Sequence, residues 1–248
     1  MIRALFDYLG SHALLKPLFF TSIAACLLSA PALADLDFNA GATSTYVREG
    51  INQTRGNPTV QSGLTFKHNT GLYAGVWASG IDRSYDHAYM EADGFAGWYL
   101  PFSENYAVDL SGTHYRFYGG LSAPKQDYSE GALSVLLYDT VKLGYRYSED
   151  YMGLDKPWQA ISGSYNLRTQ GFDMEFYLAN YRFRETDGRI GASYSAGERN
   201  DYWHFRIGVE RTWNKWDYRL SVERTNLNSN YDAGTLFQFS MQRHFKLW

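Results

Sequence analysis

Cysteine is nearly absent from this chain. Its 248 residues hold one, Cys26, and six prolines. A chain cut after Ala34 has no cysteine at all, which excludes disulfides, thiolate metal sites and cysteine nucleophiles. Long apolar runs are missing beyond that point as well, so no later stretch approaches the ~20 residues of a membrane-spanning helix. No long segment repeats with the helical period. Excess positive charge is lacking too, with 23 Lys and Arg against 26 Asp and Glu. That balance leaves no electrostatic footprint for nucleic acid.

Catalytic and metal-binding spacings are equally scarce. His68, His87, His114, His204 and His244 lie far apart, and none stands in a metal-ligand spacing. Ser111 and His114 fall on opposite faces of one extended run, and no G-x-S-x-G occurs. Enzymatic chemistry is therefore not expected, and no cofactor or metal is implied.

What the chain does have is aromatic residues, 17% of the total, with 21 Tyr. Tyr and Trp suit a membrane interface because an apolar ring carries a polar handle. The chain opens with an export signal pattern. Lys16 precedes an apolar run from Pro17 to Leu33, and Ala32-Leu33-Ala34 fits cleavage before Asp35. Two rivals are a lipoprotein box at Ile23-Ala24-Ala25-Cys26 and a membrane helix, for which the run is short. Cleavage divides the chain into a signal peptide at 1–34 and one domain at 35–248. It removes two of the 23 basic and one of the 26 acidic residues, leaving a net charge of −4.

From residue 35 onward apolar and polar residues alternate. The period is that of a strand with one oily and one wet face. Trp203–Glu223 is the clearest case. Trp203, Phe205, Ile207 and Val209 alternate with His204, Arg206, Gly208 and Glu210. After Asn214-Lys215 come Trp216, Tyr218, Leu220 and Val222, alternating with Asp217, Arg219, Ser221 and Glu223. A two-residue turn at Asn214-Lys215 sets Trp213 opposite Trp216. Glu210 then faces Arg219, Arg206 faces Glu223, Val209 faces Leu220 and Ile207 faces Val222, and the charged residues form a cross-strand ladder.

The same pattern predicts runs near 36–48, 58–68, 71–80, 88–100, 104–117, 129–138, 141–149, 157–168, 171–184, 202–213, 216–226 and 235–246. Long and short connections alternate between them, as in outer-membrane barrels with long external loops and short periplasmic turns. A thirteenth run, 189–196, breaks both the alternation and the even strand count. It is assigned to an external loop at 185–201. The expected fold class is all-β, an up-and-down antiparallel transmembrane β-barrel of about twelve strands.

A soluble sandwich or lipocalin-like barrel would also alternate, with its oily face inward. Aromatics near the run ends favour the membrane barrel instead. Trp98, Tyr99, Tyr106, Tyr138, Trp158, Trp213 and Trp216 are expected as a girdle near the short turns. Tyr46, Trp77, Phe117, Tyr118, Tyr181 and Trp203 are expected as a second girdle near the long loops. The last run carries Phe237, Phe239, Met241 and Phe245, close to the terminal aromatic signature of outer-membrane proteins.

One stretch carries more than periodicity. Ser44, Tyr46, Val47, Gly50, Ile51, Gln53, Thr54, Asn57, Pro58 and Gly63, followed by Gly71-Leu72-Tyr73-Ala74-Gly75-Val76-Trp77 and Asp82, resemble the opening of the TorF porin family of exported barrels. The family usually has an aromatic and then Arg before the Gly, whereas Arg48 and Glu49 stand there in this chain. The resemblance implies a pore-like barrel in the outer membrane and supplies no substrate.

Candidate site residues lie on the wet face. The pore-wall candidates are Lys67, Asp109, Lys142, Arg146, Arg168, Asp173, Glu175, Arg206, Glu210, Asp217, Arg219 and Glu223. Glu91, Asp93 and Lys246 share that face. Asp82, Asp86, Glu91 and Asp93 also cluster along the sequence near one external loop, where a divalent cation bridging to lipopolysaccharide is one reading and a solvated loop the other.

The functional expectation is an outer-membrane, porin-like channel of a Gram-negative bacterium for passive diffusion of small polar solutes. Its alternatives are a non-conducting structural or surface-binding barrel and an outer-membrane lipid-modifying enzyme. The partners such a barrel implies are outer-membrane lipid and lipopolysaccharide, periplasmic chaperones with the barrel-assembly machinery, and the solutes themselves.

Overall fold

The computed structural model describes residues 34–83, 87–119, 126–184, 200–227 and 231–247. Fourteen strands appear among them. They are β1 (Ala34–Thr43), β2 (Val47–Arg48), β3 (Ile51–Asn52), β4 (Thr59–His68), β5 (Leu72–Gly80), β6 (Met90–Ser103) and β7 (Tyr106–Tyr118). They continue with β8 (Tyr128–Leu137), β9 (Val141–Ser148), β10 (Trp158–Arg168), β11 (Asp173–Phe183), β12 (Asp201–Trp213), β13 (Trp216–Thr225) and β14 (Thr235–Lys246).

Twelve of these close into an antiparallel barrel. Each strand pairs with its sequence neighbour, and β1 pairs with β14 to complete the ring. Only β2 and β3 stand outside it, as a small hairpin of their own. The expected twelve-strand barrel is what forms. The expected single run over 36–48 needs correction: β1 ends at Thr43, and Val47–Arg48 belongs to the separate hairpin. Thr45 and Thr54 bond to one another at 3.1 Å and share the Asn52 side chain, which turns the chain off the wall. The 1–33 segment and the 189–196 run lie outside the described residues.

Register follows side-chain chemistry. Trp213 opposes Trp216, Glu210 opposes Arg219, Arg206 opposes Glu223, and Val209 opposes Leu220. Asn214 and Lys215 both take positive φ, 52° and 67°, as this kind of two-residue hairpin turn requires. A slip of one residue would carry every apolar side chain to the other face.

The apolar face is the outer one. Val60, Val76, Ile161, Leu220 and Phe237 are all strongly exposed on the exterior, so a soluble barrel with its oily side inward does not fit. Near the short turns Trp98, Tyr106, Tyr138 and Trp213 are exposed, an aromatic belt. No helix among the described residues is long and apolar enough to cross a membrane.

The second expected girdle is corrected. Near the long loops, Trp203 is exposed, but Tyr46, Phe117, Tyr181 and Trp77 turn inward. Trp158 is also misplaced in the first expectation. It begins β10 just after a long loop and is almost fully buried inside the barrel. Alternation assigns these rings to a strand end but not to a face. The interior has polar hydroxyls and guanidinium groups for them to meet.

Candidate functional site

The loop between β1 and β4 does not stand outside the barrel. Its β2–β3 hairpin crosses the bore. On one side Arg48 Nη1 donates to Glu91 Oε1 of β6 at 2.5 Å. On the other, Gly50 lies against β12 and β13, so closely that a Cβ there would meet Thr225 Cγ2 at 2.2 Å and His204 Cδ2 at 2.9 Å. In the ring, β6 and β12 are six strands apart in either direction, which makes them opposite walls. Gly50 takes φ of 76°, and no side chain fits the contact.

The hairpin is held chiefly by charge. Arg48 also donates to the Tyr128 hydroxyl at 2.7 Å, and its guanidinium lies 4.9 Å from the centre of the Tyr115 ring. Burial opposes the Arg48 charge, but Glu91 and the hydroxyls of Tyr128, Tyr151 and Tyr46 together outweigh it and raise the guanidinium pKa above its usual range. Glu49 accepts from Tyr151 at 2.6 Å and pairs with Arg146 of β9 at 3.0 Å. Arg146 in turn bonds Glu130 of β8 at 3.2 Å. The Tyr202 hydroxyl donates to the Glu49 carbonyl. Neighbouring loops clasp the hairpin from outside: Asn52 N–H donates to the Asp232 carbonyl and Asp82 N–H to that of Gln53.

Aromatic rings complete this septum. Tyr115 stacks on Tyr128 at 4.6 Å, Tyr151 on Trp158 at 4.7 Å, and Tyr181 on Tyr202 at 4.8 Å. Arg146 sits 5.1 Å from the Trp158 ring, a cation–π contact.

The septum divides the interior. Outside it lies a cavity of about 370 Å³ lined by Arg48, Glu49, Gln53, Gln126, Tyr151 and Asp232. Inside it lies one of about 420 Å³ bounded by Tyr115, Glu130 and Arg146, and deeper by Asp109, Lys142 and Arg206. A further cavity of about 270 Å³ reaches Glu210, Asp217 and Arg219.

The twelve sequence candidates all fall at inward positions of their strands, and eight of them line the two inner cavities. Lys67 pairs with Asp37 and Glu223 with His204, while Arg168 and Asp173 face one another at the inner mouth. The charged ladder needs revision. Glu210 and Arg219 do pair, at 3.4 Å. Arg206, however, bonds Glu175 of β11 through two nitrogens at 3.1 Å, and Arg219 reaches the same carboxylate. Glu223 bonds His204 Nε2 at 2.8 Å. Long side chains choose partners by reach, so an opposed position does not ensure a contact.

Other expectations change as well. Asp82, Glu91 and Asp93 form no loop cluster. Asp82 pairs with Arg55 in the loops, Glu91 lies fully buried in the bore and Asp93 follows it down β6; Asp86 lies outside the described residues. No group of three or more His, Cys, Asp or Glu residues that could hold a metal occurs among the described residues. Ser111 faces the inner cavity, whereas His114 bonds Ser129 on the adjacent strand, so the two stay apart. Sequence reasoning missed Arg48, Glu49, Tyr128, Tyr151 and His204. The one signal was the departure at Arg48-Glu49 from the family pattern.

Comparison with known proteins agrees with this architecture. The chain resembles the solved "KdgM porin" at 9% identity and a TM-score of 0.51, over 85% of this chain and 99% of that one. It resembles NanC porin at 8% identity and a TM-score of 0.50, over 86% and 100%. Likeness at such identity extends to the fold. No curated protein matches the sequence. The model of a bacterial protein family of unknown function, Gcw_chp, matches residues 30–244, and the chain belongs to that family.

Proposed function

We propose that this protein is an outer-membrane pore for small polar solutes, with the β2–β3 hairpin as its constriction. The observation that carries the reading is the inner cavity of about 420 Å³, bounded by Asp109, Lys142, Glu175 and Arg206 inside a closed barrel. Small barrels fill their interior with side chains, and this one keeps polar space on both sides of a thin septum. The resemblance of residues 41–82 to the TorF porin family points the same way. Its place is the outer membrane of a Gram-negative bacterium, reached after loss of residues 1–34 and by way of periplasmic chaperones and the assembly machinery, with lipid and lipopolysaccharide against its apolar exterior. No covalent chemistry is involved.

The test is single-channel recording of refolded protein in planar bilayers. Discrete conductance steps are expected. A folded, heat-modifiable protein that gives none would favour a second reading, a non-conducting barrel whose loops act at the surface. One feature supports that reading: the hairpin reaches from wall to wall, held by ion pairs at both Arg48 and Glu49.

A further inference from the structure

We infer that the septum is a binding site for small cations and makes the pore cation-selective. The inference rests on the pore reading and names the class of solute that passes.

Four carboxylates meet at the septum: Glu49 on the hairpin, Glu91 and Asp93 on β6, and Glu130 on β8. Two guanidinium groups, Arg48 and Arg146, bond to three of them. Asp93, two residues from Glu91 on the same face of β6, has no ion pair among the described residues, and its Oδ1 has no hydrogen-bond partner there. Arg83 is nearby, over the Phe117 ring, and donates to Gln126.

The second observation concerns single atoms. Glu91 is fully buried, and Arg48 engages only its Oε1; Oε2 has no partner among the described residues. Glu130 is 5% exposed, and both Arg146 and Tyr115 bond its Oε2, leaving Oε1 without one. A buried carboxylate oxygen without a donor is costly, and each of these two carboxylates has one oxygen in an ion pair and the other without a protein partner among the described residues. Carboxylates with one oxygen committed and one free are arranged to accept from something that comes and goes. The chemistry that fits is a positive charge or an N–H donor: an alkali ion, an ammonium or a guanidinium. Rings of such carboxylates confer cation selectivity on channels. The two arginines fix the carboxylates in place and hold the hairpin.

The experiment is reversal potential in a potassium chloride gradient, on the unmodified protein and on Asp93→Asn and Glu130→Gln. The unmodified pore should favour potassium, and each variant should move the permeability ratio towards unity. Guanidinium or putrescine on the outer side should reduce the potassium current of the unmodified protein, whereas acetate should not. An anion-preferring pore, variants with unchanged ratios, or indifference to both organic cations overturns the inference and leaves the pore standing. Absence of any conductance from folded protein overturns the pore reading and this inference with it. Because the organic-cation arm uses the unmodified chain, a variant that fails to fold does not decide the outcome.

Discussion

At Gly71 the backbone turns with φ of 87°, and a Cβ there would lie 2.0 Å from the Tyr99 carbonyl oxygen. Gly71→Ala must adopt a left-handed conformation that costs about 1–2 kcal/mol and displace a neighbouring strand as well. A lower urea midpoint for unfolding from detergent micelles is the expected result. Glu175 presents the opposite case, a carboxylate held by Arg206 and Arg219 together. Removing one guanidinium leaves the other in place, so Arg206→Ala alone should barely change folding. Removing both should lower refolding yield and shift the pore further towards cations, since Glu175 then stands uncompensated in the bore. Val209, on the outer face of the same strand, pairs with Leu220 and Met174. Val209→Arg should cost about 2–4 kcal/mol if it sits near the bilayer midplane, measured as loss of the heat-modifiable form.

The β2–β3 hairpin is the element on which the interior depends. Breaking one partner of a buried ion pair costs about 3–5 kcal/mol because the other charge is left alone. Arg48→Met strands Glu91 in this way, and the loop can escape the penalty by leaving the bore. The variant should therefore fold, conduct more and with more flicker, and be cut faster by trypsin at the exposed Arg55; an unchanged conductance would mean the hairpin does not narrow the path. The same element marks where sequence reasoning stopped. The barrel strands were legible because each presents an apolar face outward and a polar face to the bore, which enforces strict alternation. The turn at Asn214-Lys215 and the Glu210–Arg219 pair followed from that rule. The hairpin is short, its strands two residues each, and its partners Glu91, Tyr128, Arg146 and Tyr202 lie on four separate strands. No local pattern records such contacts. The inward rings of Trp158 and Tyr181 were misread for the same reason, since a girdle ring and a septum ring look alike in sequence.

For the molecule as a whole, the strand ends that lead into the long connections lie at one end of the barrel and the short turns at the other. Cysteine at Leu154, exposed in the loop after β9, should react with a membrane-impermeant maleimide on intact cells. Cysteine at Asn105, in the turn between β6 and β7, should react only once the outer membrane is opened, and the reverse order would invert the orientation. The ring closes where β1 meets β14, from Asp37 opposite Lys246 to Thr43 opposite Ser240. The first barrel strand to be synthesised thus waits for the last, and until that seam forms both bear a row of unpaired N–H and C=O groups. The hairpin follows directly on β1 in the chain, yet it rests on walls made later. Its charged tip must therefore be enclosed as the cylinder shuts rather than threaded in afterwards. A chain stopped before β14 should accumulate as an open sheet, its hairpin unenclosed and its first strand without a partner to seal it.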